Sequence, residues 1–287
     1  MTPRVSALIV SYNTCALLLE AIASVVHEPG VETIVLDNAS HDGSPRAVAD
    51  RFPTVRLFES KSNLGFAAGV NAAAAHARGQ HLLVLNPDAR LEPGALDVLL
   101  ELLDRTPRAA LVSPSLRYAD GAQQAAAFRF PGLVQMALDL FPIDRLMDSS
   151  WNGRVSGVSQ PRQIDHPLGA CMLIGRAAWA DVGPLDDGYF MYLEEIDWCR
   201  RARRRGWQIW YQPAAVAIHH GGQSTRQQLD VMFAQLWRSR LRYYQRFSGP
   251  AYNRVVHALV RVGLQRAVAR AEPRRAMLMD AVRRLVS

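Results

Sequence analysis

The stretch VSALIVSYN, residues 5–13, decides the fold: a short β-rich run, Val5 to Val10, leads straight into the polar cluster Ser11-Tyr12-Asn13. TIVLDNAS (33–40) and HLLVLNPD (81–88) repeat the arrangement, each an apolar strand ending on Asp, Asn or Ser. Working outward, strands are expected at Val5–Val10, Thr33–Asp37, Val55–Glu59, His81–Asn86 and Ala109–Ser113. Amphipathic helices fall between them, near Ala16–Val26, Ser44–Arg51, Ala67–Ala77 and Gly94–Asp104. Such alternation predicts a mainly parallel α/β sheet with helices on both faces, whose ligands bind at the carboxyl ends of the strands. Asn, Asp and Ser also serve as ordinary turn and cap residues. Three such clusters at one sheet edge, however, point to a site.

Beyond Ala119 the periodicity loosens, and residues 119–161 read as a long excursion that shapes an acceptor cleft. Regular signal returns with a strand at Ile164–Ile174, helices at Ala177–Asp181 and Glu194–Arg205, and strands at Gln208–Tyr211 and Ala215–Ile218. From Arg226 on, two or three helices are expected. The division is therefore a catalytic body, residues 1–225, and a helical region, residues 226–287.

At 287 residues, 49% hydrophobic and 21% charged, the chain can bury a large core, which excludes disordered, collagenous and small disulfide-scaffold classes. The net charge of +7 first suggests an anionic partner. Its distribution changes that view: residues 226–287 carry thirteen arginines against three carboxylates, net +10, which leaves the body at −3. Cys15, Cys171 and Cys199 are far apart with no CxxC pair, so neither a disulfide framework nor a structural zinc site is expected. A reducing, cytoplasmic setting follows. The opening MTPRVSALIVSYN lacks a secretory leader pattern, and no apolar run approaches the ~20 residues needed to span a bilayer.

Four constellations carry chemistry. Asn63-Leu-Gly-Phe-Ala-Ala-Gly-Val-Asn71 opens a helix with two glycines, where backbone N–H groups favour an anion. Asp88 closes a strand in Asn86-Pro87-Asp88 and reads either as a turn cap or as a ligand for Mg²⁺ or Mn²⁺ completed by substrate phosphates. Glu194-Glu195-Ile196-Asp197 precedes five arginines; acids first and arginines last suit a helix dipole. The aromatics of residues 189–192 also allow a carboxyl with the raised pKa of a general base. His219, in HHGGQS (219–224), is either structural or a ligand completing a metal site.

Taken in order, VSYN, LDNASHDGS, NLGFAAGVN, LNPDA, GACMLI, FMYLEEIDWCRR and HHGGQS resemble the family 2 glycosyltransferases of GT-A fold, over residues 5–225. Within that family they look most like the rhamnosyltransferase branch that builds bacterial cell-surface glycans. The resemblance implies a nucleotide pocket from Ser11, Tyr12, Asn13, Asp37, Asn38, Ser40, Asp42 and Gly43, with Asp37 accepting from a pyrimidine N3–H. It places Asn63, Gly65, Phe66 and Asn71 beside the diphosphate and donor sugar. Asp88 takes the place of the last acid of a metal-binding DxD, and His219 that of the distal metal-side histidine. Asn86 stands where the first acid would be, a substitution common in the rhamnosyltransferase-like branch, which favours a dTDP-sugar over a UDP- or GDP-sugar. Glu195 matches the catalytic base, with Glu194 and Asp197 in supporting or acceptor-contacting roles. The implied partners are a nucleotide-sugar donor and a glycan or lipid-linked acceptor.

Two other classes fit less well. A nucleic-acid-binding protein lacks any matching motif, and the acidic strand-end cluster would repel phosphate without a metal. A nucleotidyltransferase would carry a Gly-rich basic loop after the first strand, where VSYNTCALLL stands. For the Arg-rich helices two readings stand open: peripheral contact with an anionic membrane face, or packing on the body with arginines in water.

Overall fold

The computed structural model describes residues 2–221 and 229–269. Strands β1 (Val5–Ser11), β2 (Val31–Asp37), β3 (Arg56–Glu59) and β4 (His81–Leu85) lie parallel in the order β3-β2-β1-β4. Every residue of β1 is buried, because both faces of the sheet are covered. Helices α1 (Cys15–Ala23), α2 (Ser44–Arg51) and α3 (Phe66–Ala75) alternate with these strands. A Cβ at Gly69 would lie 2.7 Å from Val10 Cγ1, so only glycine lets α3 approach β1 this closely. Helix α4 (Ala95–Arg105) buries Leu96, Leu99, Leu100 and Leu103, a row at helical spacing that faces the core.

The second half makes the sheet mixed. Strand β6 (Ala109–Arg117) is separated from β4 by β11 (Cys171–Gly175), which runs antiparallel to both. Strand β12 (Gln208–His219) pairs parallel with β6, and the short β5 (Ala89–Leu91) closes the edge antiparallel to β12. That last pairing sets Ala89 opposite His219 and so brings Asp88 to the end of β12.

Several expectations are corrected. The single strand at 164–174 is three pieces: β9 (Arg162–Ile164) on β12, β10 (His166–Pro167) on β8 (Ala127–Phe128), and β11 in the main sheet. Pro167 cannot donate to a ladder and Gly169 sits at φ +91°, so the chain turns away from the sheet between them. The two strands near 208–218 are one, β12. Gln212 pairs with Pro114 and Val216 with Ser115, and the bulge between them accommodates Pro213. The excursion holds β7 (Gln123–Gln124), β8, α5 (Leu133–Leu140) and α6 (Asp144–Met147), all too short to announce a period. Helix α7 (Arg176–Val182) leads to a loop and then to α8 (Glu194–Arg204).

Past the body lie α9 (Leu229–Phe247) and α10 (Pro250–Ala269). The expected boundary at 225/226, and Gly222, Gln223 and Ser224 of the histidine motif, fall outside the described residues. Of the two readings for the tail, α9 follows packing. Its Trp237, Leu241, Tyr243 and Tyr244 join Tyr189, Leu193 and Ile196 in a second hydrophobic core, with Met136 of α5 and Val256 and Val260 of α10. Arg242 and Arg246 both ion-pair with Asp186, and Arg246 reaches Asp197 at 3.3 Å.

Candidate active site

The carboxyl ends of β1, β2 and β4 open on a cavity of about 720 Å³. Ser11, Tyr12, Asn38, Asn63, Gly65, Phe66, Asn86, Asp88, Glu194, Glu195 and His219 all line it. Residues separated by two hundred positions are thus gathered at one sheet edge.

On the β1–β2 side, polar groups fix the loops. Asn13 Oδ1 accepts from the His41 N–H at 2.8 Å, and its own N–H donates to Ser40 Oγ at 3.0 Å. Asp42 accepts from the Cys15 N–H at 2.8 Å and from the Ser44 hydroxyl, bonds that hold its carboxyl below the usual carboxylate range despite partial burial. Asn13, Ser40 and Asp42 therefore tie the two loops together rather than line the cavity. Asp37 is buried; Oδ2 accepts from the Ser40 N–H at 2.8 Å, while Oδ1 has no hydrogen-bond partner among the described residues. Asn38 bonds through its side chain to Gly65 O and the Leu64 N–H, joining β2 to the start of α3. Asn71 clasps the backbone of Leu185 with both amide atoms, at 2.9 and 3.0 Å, and so anchors the loop before α8.

Asp88 and His219 meet on the far side. His219 Nε2 lies 3.4 Å from Asp88 Oδ1, both side chains are buried, and Gln124 Oε1 holds Nδ1 at 2.9 Å. The contact of Nδ1 with Gln124 turns Nε2 toward the carboxylate, the usual arrangement of an oriented metal-binding imidazole. Asn86 Oδ1 is buried without a partner among the described residues. One carboxylate, one imidazole and a spare amide oxygen suit a divalent ion that takes its remaining ligands from a diphosphate. No cluster of three or more His, Cys, Asp or Glu side chains occurs among the described residues, so protein groups alone do not complete a coordination shell.

The acidic pair opens α8. The chain enters the helix through Tyr192 and Leu193 at φ +69° and +67°, a conformation costly for side chains of this size. The Glu195 carboxyl receives N–H groups of the first helical turn, which favour its charge, but burial dominates and pushes its pKa up to about 7. Glu194 is raised further in the same direction, by burial and then by the charge of Glu195. Gly169 lies against this carboxyl: a Cβ there would meet Glu195 Cγ at 3.2 Å. Asp197 points elsewhere. It is fully buried, paired with Arg201 at 2.7 Å and within reach of Arg246, and it accepts from the Tyr189 hydroxyl at 3.3 Å. Arg201 in turn donates to the carbonyls of Val182 and Pro184, so Asp197 organises the approach to α8 rather than the cavity itself.

Other cavity residues carried little sequence signal. His166, stacked on Phe128 with centroids 5.4 Å apart, is neutral because burial pushes it down to about 4. Gln124 and Gln135 come from the loosely patterned excursion. Val231, Met232, Leu236 and Arg240 come from α9, which forms one wall. The strand-end residues, the helix opening Asn63-Leu64-Gly65-Phe66, Gly169 and the acidic run stand in recognisable patterns.

Comparison with known proteins then decides the family. Residues 6–156 match the model of glycosyl transferase family 2. The chain belongs to that family. This glycosyltransferase is 31% identical over 221 residues to the N-acetylglucosaminyl-diphospho-decaprenol L-rhamnosyltransferase of Mycobacterium tuberculosis, covering 71% of each chain. It is 35% identical over 83 residues to rhamnosyltransferase WbbL of Escherichia coli, a match covering 29% of this chain and 31% of that one. Among solved structures, a mannosyltransferase from Pyrobaculum calidifontis, in complex with GDP-Man and Mn²⁺, superposes with a TM-score of 0.59 at 18% identity. That match covers 99% of this glycosyltransferase and 81% of the mannosyltransferase. The fold is GT-A, with the helices α9 and α10 added to it.

Proposed function

We propose that this glycosyltransferase moves L-rhamnose from dTDP-L-rhamnose to a sugar hydroxyl of a polyprenyl-diphosphate-linked acceptor in cell-surface polysaccharide synthesis, with inversion. The observation that carries the reading is one cavity holding a partly buried carboxyl poised near neutrality, Glu195, together with the Asp88–His219 pair. The named relatives support rhamnose and the lipid-linked acceptor. The unpartnered Asp37 Oδ1 supports a pyrimidine, whose N3–H it would accept.

Ser11, Tyr12 and Asn38 would receive the nucleoside, on loops held by Asn13, Ser40 and Asp42. Asn63, Gly65 and Phe66 would border the diphosphate and sugar, with Asn71 fixing the loop opposite. Asp88 and His219, beside Asn86, would hold Mg²⁺ or Mn²⁺, which when bound supplies positive charge against the donor β-phosphate. Glu195 removes the proton from the acceptor hydroxyl. The freed oxygen bonds to the anomeric carbon as the bond to the β-phosphate oxygen breaks, its electron pair leaving on the nucleoside diphosphate. Glu194 is buried beside the base, and burial together with the charge of Glu195 raises its own carboxyl. Asp197 sets the position of α8.

The acceptor's lipid suggests where the enzyme works. No helix among the described residues is long and apolar enough to cross a membrane. Helix α10 exposes Val255 and Val262 between Arg254, Arg261 and Arg266 and carries no acidic residue, a face suited to the anionic cytoplasmic leaflet.

Incubation with dTDP-rhamnose and with UDP- and GDP-sugars, plus Mn²⁺ or Mg²⁺ and a diphosphate-linked N-acetylglucosaminyl lipid, tests the proposal. Rhamnosyl transfer from dTDP-rhamnose alone is expected. Turnover confined to a UDP- or GDP-sugar would replace the donor assignment, and failure of every donor would end the reading.

A further inference from the structure

The cavity also carries polar groups that the chemistry above leaves unused. Arg240 of α9 is the sole Arg or Lys among the described residues that line it. Its guanidinium is fixed from two sides: Nη2 pairs with Asp139 of α5 at 2.6 Å, and the group lies over the Trp237 ring, 4.7 Å from its centroid. Neither contact uses all five N–H donors of the fork. Gln135, one helical turn before Asp139 and therefore on the same face of α5, also lines the cavity, and its side-chain amide N–H is the group able to donate to a phosphate oxygen.

We infer that Arg240, with Gln135 beside it, forms the subsite for the diphosphate of the lipid-linked acceptor. The inference rests on the proposed function and adds to it the residues that read the acceptor's anion. Charge decides the assignment. Asp88 and ionised Glu195 are anionic, and Arg240 is the sole Arg or Lys among the described lining residues, so a second diphosphate entering the cavity needs a cation of its own, separate from the one Asp88 and His219 would hold. A guanidinium already oriented by Asp139 and Trp237 loses little freedom on binding phosphate, the condition under which a charged hydrogen bond contributes most. Val231, Met232 and Leu236 of the same helix offer an apolar surface in that cavity for the first prenyl units attached to the diphosphate. Arg240 is a specificity-determining residue, and Asp139 positions it.

The test compares two acceptors on the full chain: N-acetylglucosaminyl-diphosphoryl lipid and an uncharged alkyl N-acetylglucosaminide of matched chain length. Arg240→Gln is expected to raise KM for the diphosphate acceptor about tenfold to a hundredfold, with kcat, donor KM and the KM for the uncharged acceptor within about twofold. Asp139→Asn should give a smaller change of the same kind, rescuing the inference if Arg240→Gln folds poorly by thermal unfolding. Equal losses on both acceptors, an altered donor KM, or no change on either would overturn the subsite. If the wild-type chain uses neither acceptor with any nucleotide sugar, the functional proposal falls first and the subsite with it.

Discussion

Replacing Glu195 with Gln separates catalysis from stability in opposite directions. The substitution keeps the shape of the side chain and removes the charge. As general base, Glu195 should be worth about 10²–10⁴ in kcat, so turnover should fall at least a hundredfold while donor affinity stays within a few-fold. Stability should move the other way. Burial raises the carboxyl from 4.5 in the unfolded chain to about 7, a gap that at about 1.4 kcal/mol per pH unit amounts to about 3 kcal/mol. Because the folded-state pKa is the higher one, the native carboxyl contributes its stability below pH 4.5 and loses it as the pH rises through about 7. Glutamine never ionises. The variant's advantage is therefore absent near pH 4.5 and complete above about pH 8, where about 3 kcal/mol corresponds to a Tm gain of about 6 °C in a chain of this size. Thermal unfolding of both proteins from pH 5 to 9, beside initial rates of transfer, reads both effects. Turnover above a tenth of wild type, or a Tm difference that does not change with pH, would refute the reasoning.

Four further outcomes follow from the same geometry. In the wild-type enzyme kcat/KM should lose activity on the acid side with an apparent pKa near 7, as the base takes up its proton; a flat profile from pH 5.5 to 8 would count against Glu195. Gly169→Ala sets a Cβ 3.2 Å from Glu195 Cγ at a backbone φ of +91°, and should cost about 1–2 kcal/mol in denaturant unfolding and lower kcat at least tenfold. Asp88→Asn should raise the Mn²⁺ concentration for half-maximal activity by about tenfold to a hundredfold, measured by metal titration after chelation. Arg246→Ala removes a half-exposed partner from Asp186 and Asp197 while Arg201 still holds Asp197; a loss of about 1 kcal/mol is expected in chemical denaturation, given its solvent screening.

Of the first four parallel strands, β1, β2 and β4 were legible because buried strands read as apolar runs and each of these three ended on a polar cluster, while β3, only partly buried, was found from its place in the alternation. Helix α8 was legible too, from its acids and arginines. What stayed hidden is tertiary in origin. Nothing local marks β11 as the strand inserted between β4 and β6, since insertion order is decided by packing over the whole sheet. Nor does local pattern show that the chain leaves the sheet between Ile164 and Cys171, although Pro167 and Gly169 were available as signals. Among site residues, Asp88 and His219 each had an ordinary structural reading until β5 paired with β12 and set them 3.4 Å apart. Asn13, Ser40, Asp42 and Asn71 stand in recognisable motifs, yet they brace loops and do not face the cavity. Gln124, Gln135 and Arg240 could not be found in advance, because each lies in an element whose neighbours are defined only by folding.

The wall contributed by α9 lies outside residues 6–156, the segment that the family model matches. That segment holds the ends of β1, β2 and β4, whereas the α9 side of the cavity is drawn from residues beyond 229. On the proposed function, substitutions in α9 are expected to change acceptor choice while leaving the loops after β1 and β2 intact. A chimera carrying the body of this chain and the corresponding helix of another transferase should keep its donor and exchange its acceptor. Removing that helix from an expression boundary would leave the donor loops intact while stripping Tyr189, Leu193 and Ile196 of their cover, so a minimal catalytic fragment has to extend at least through Phe247.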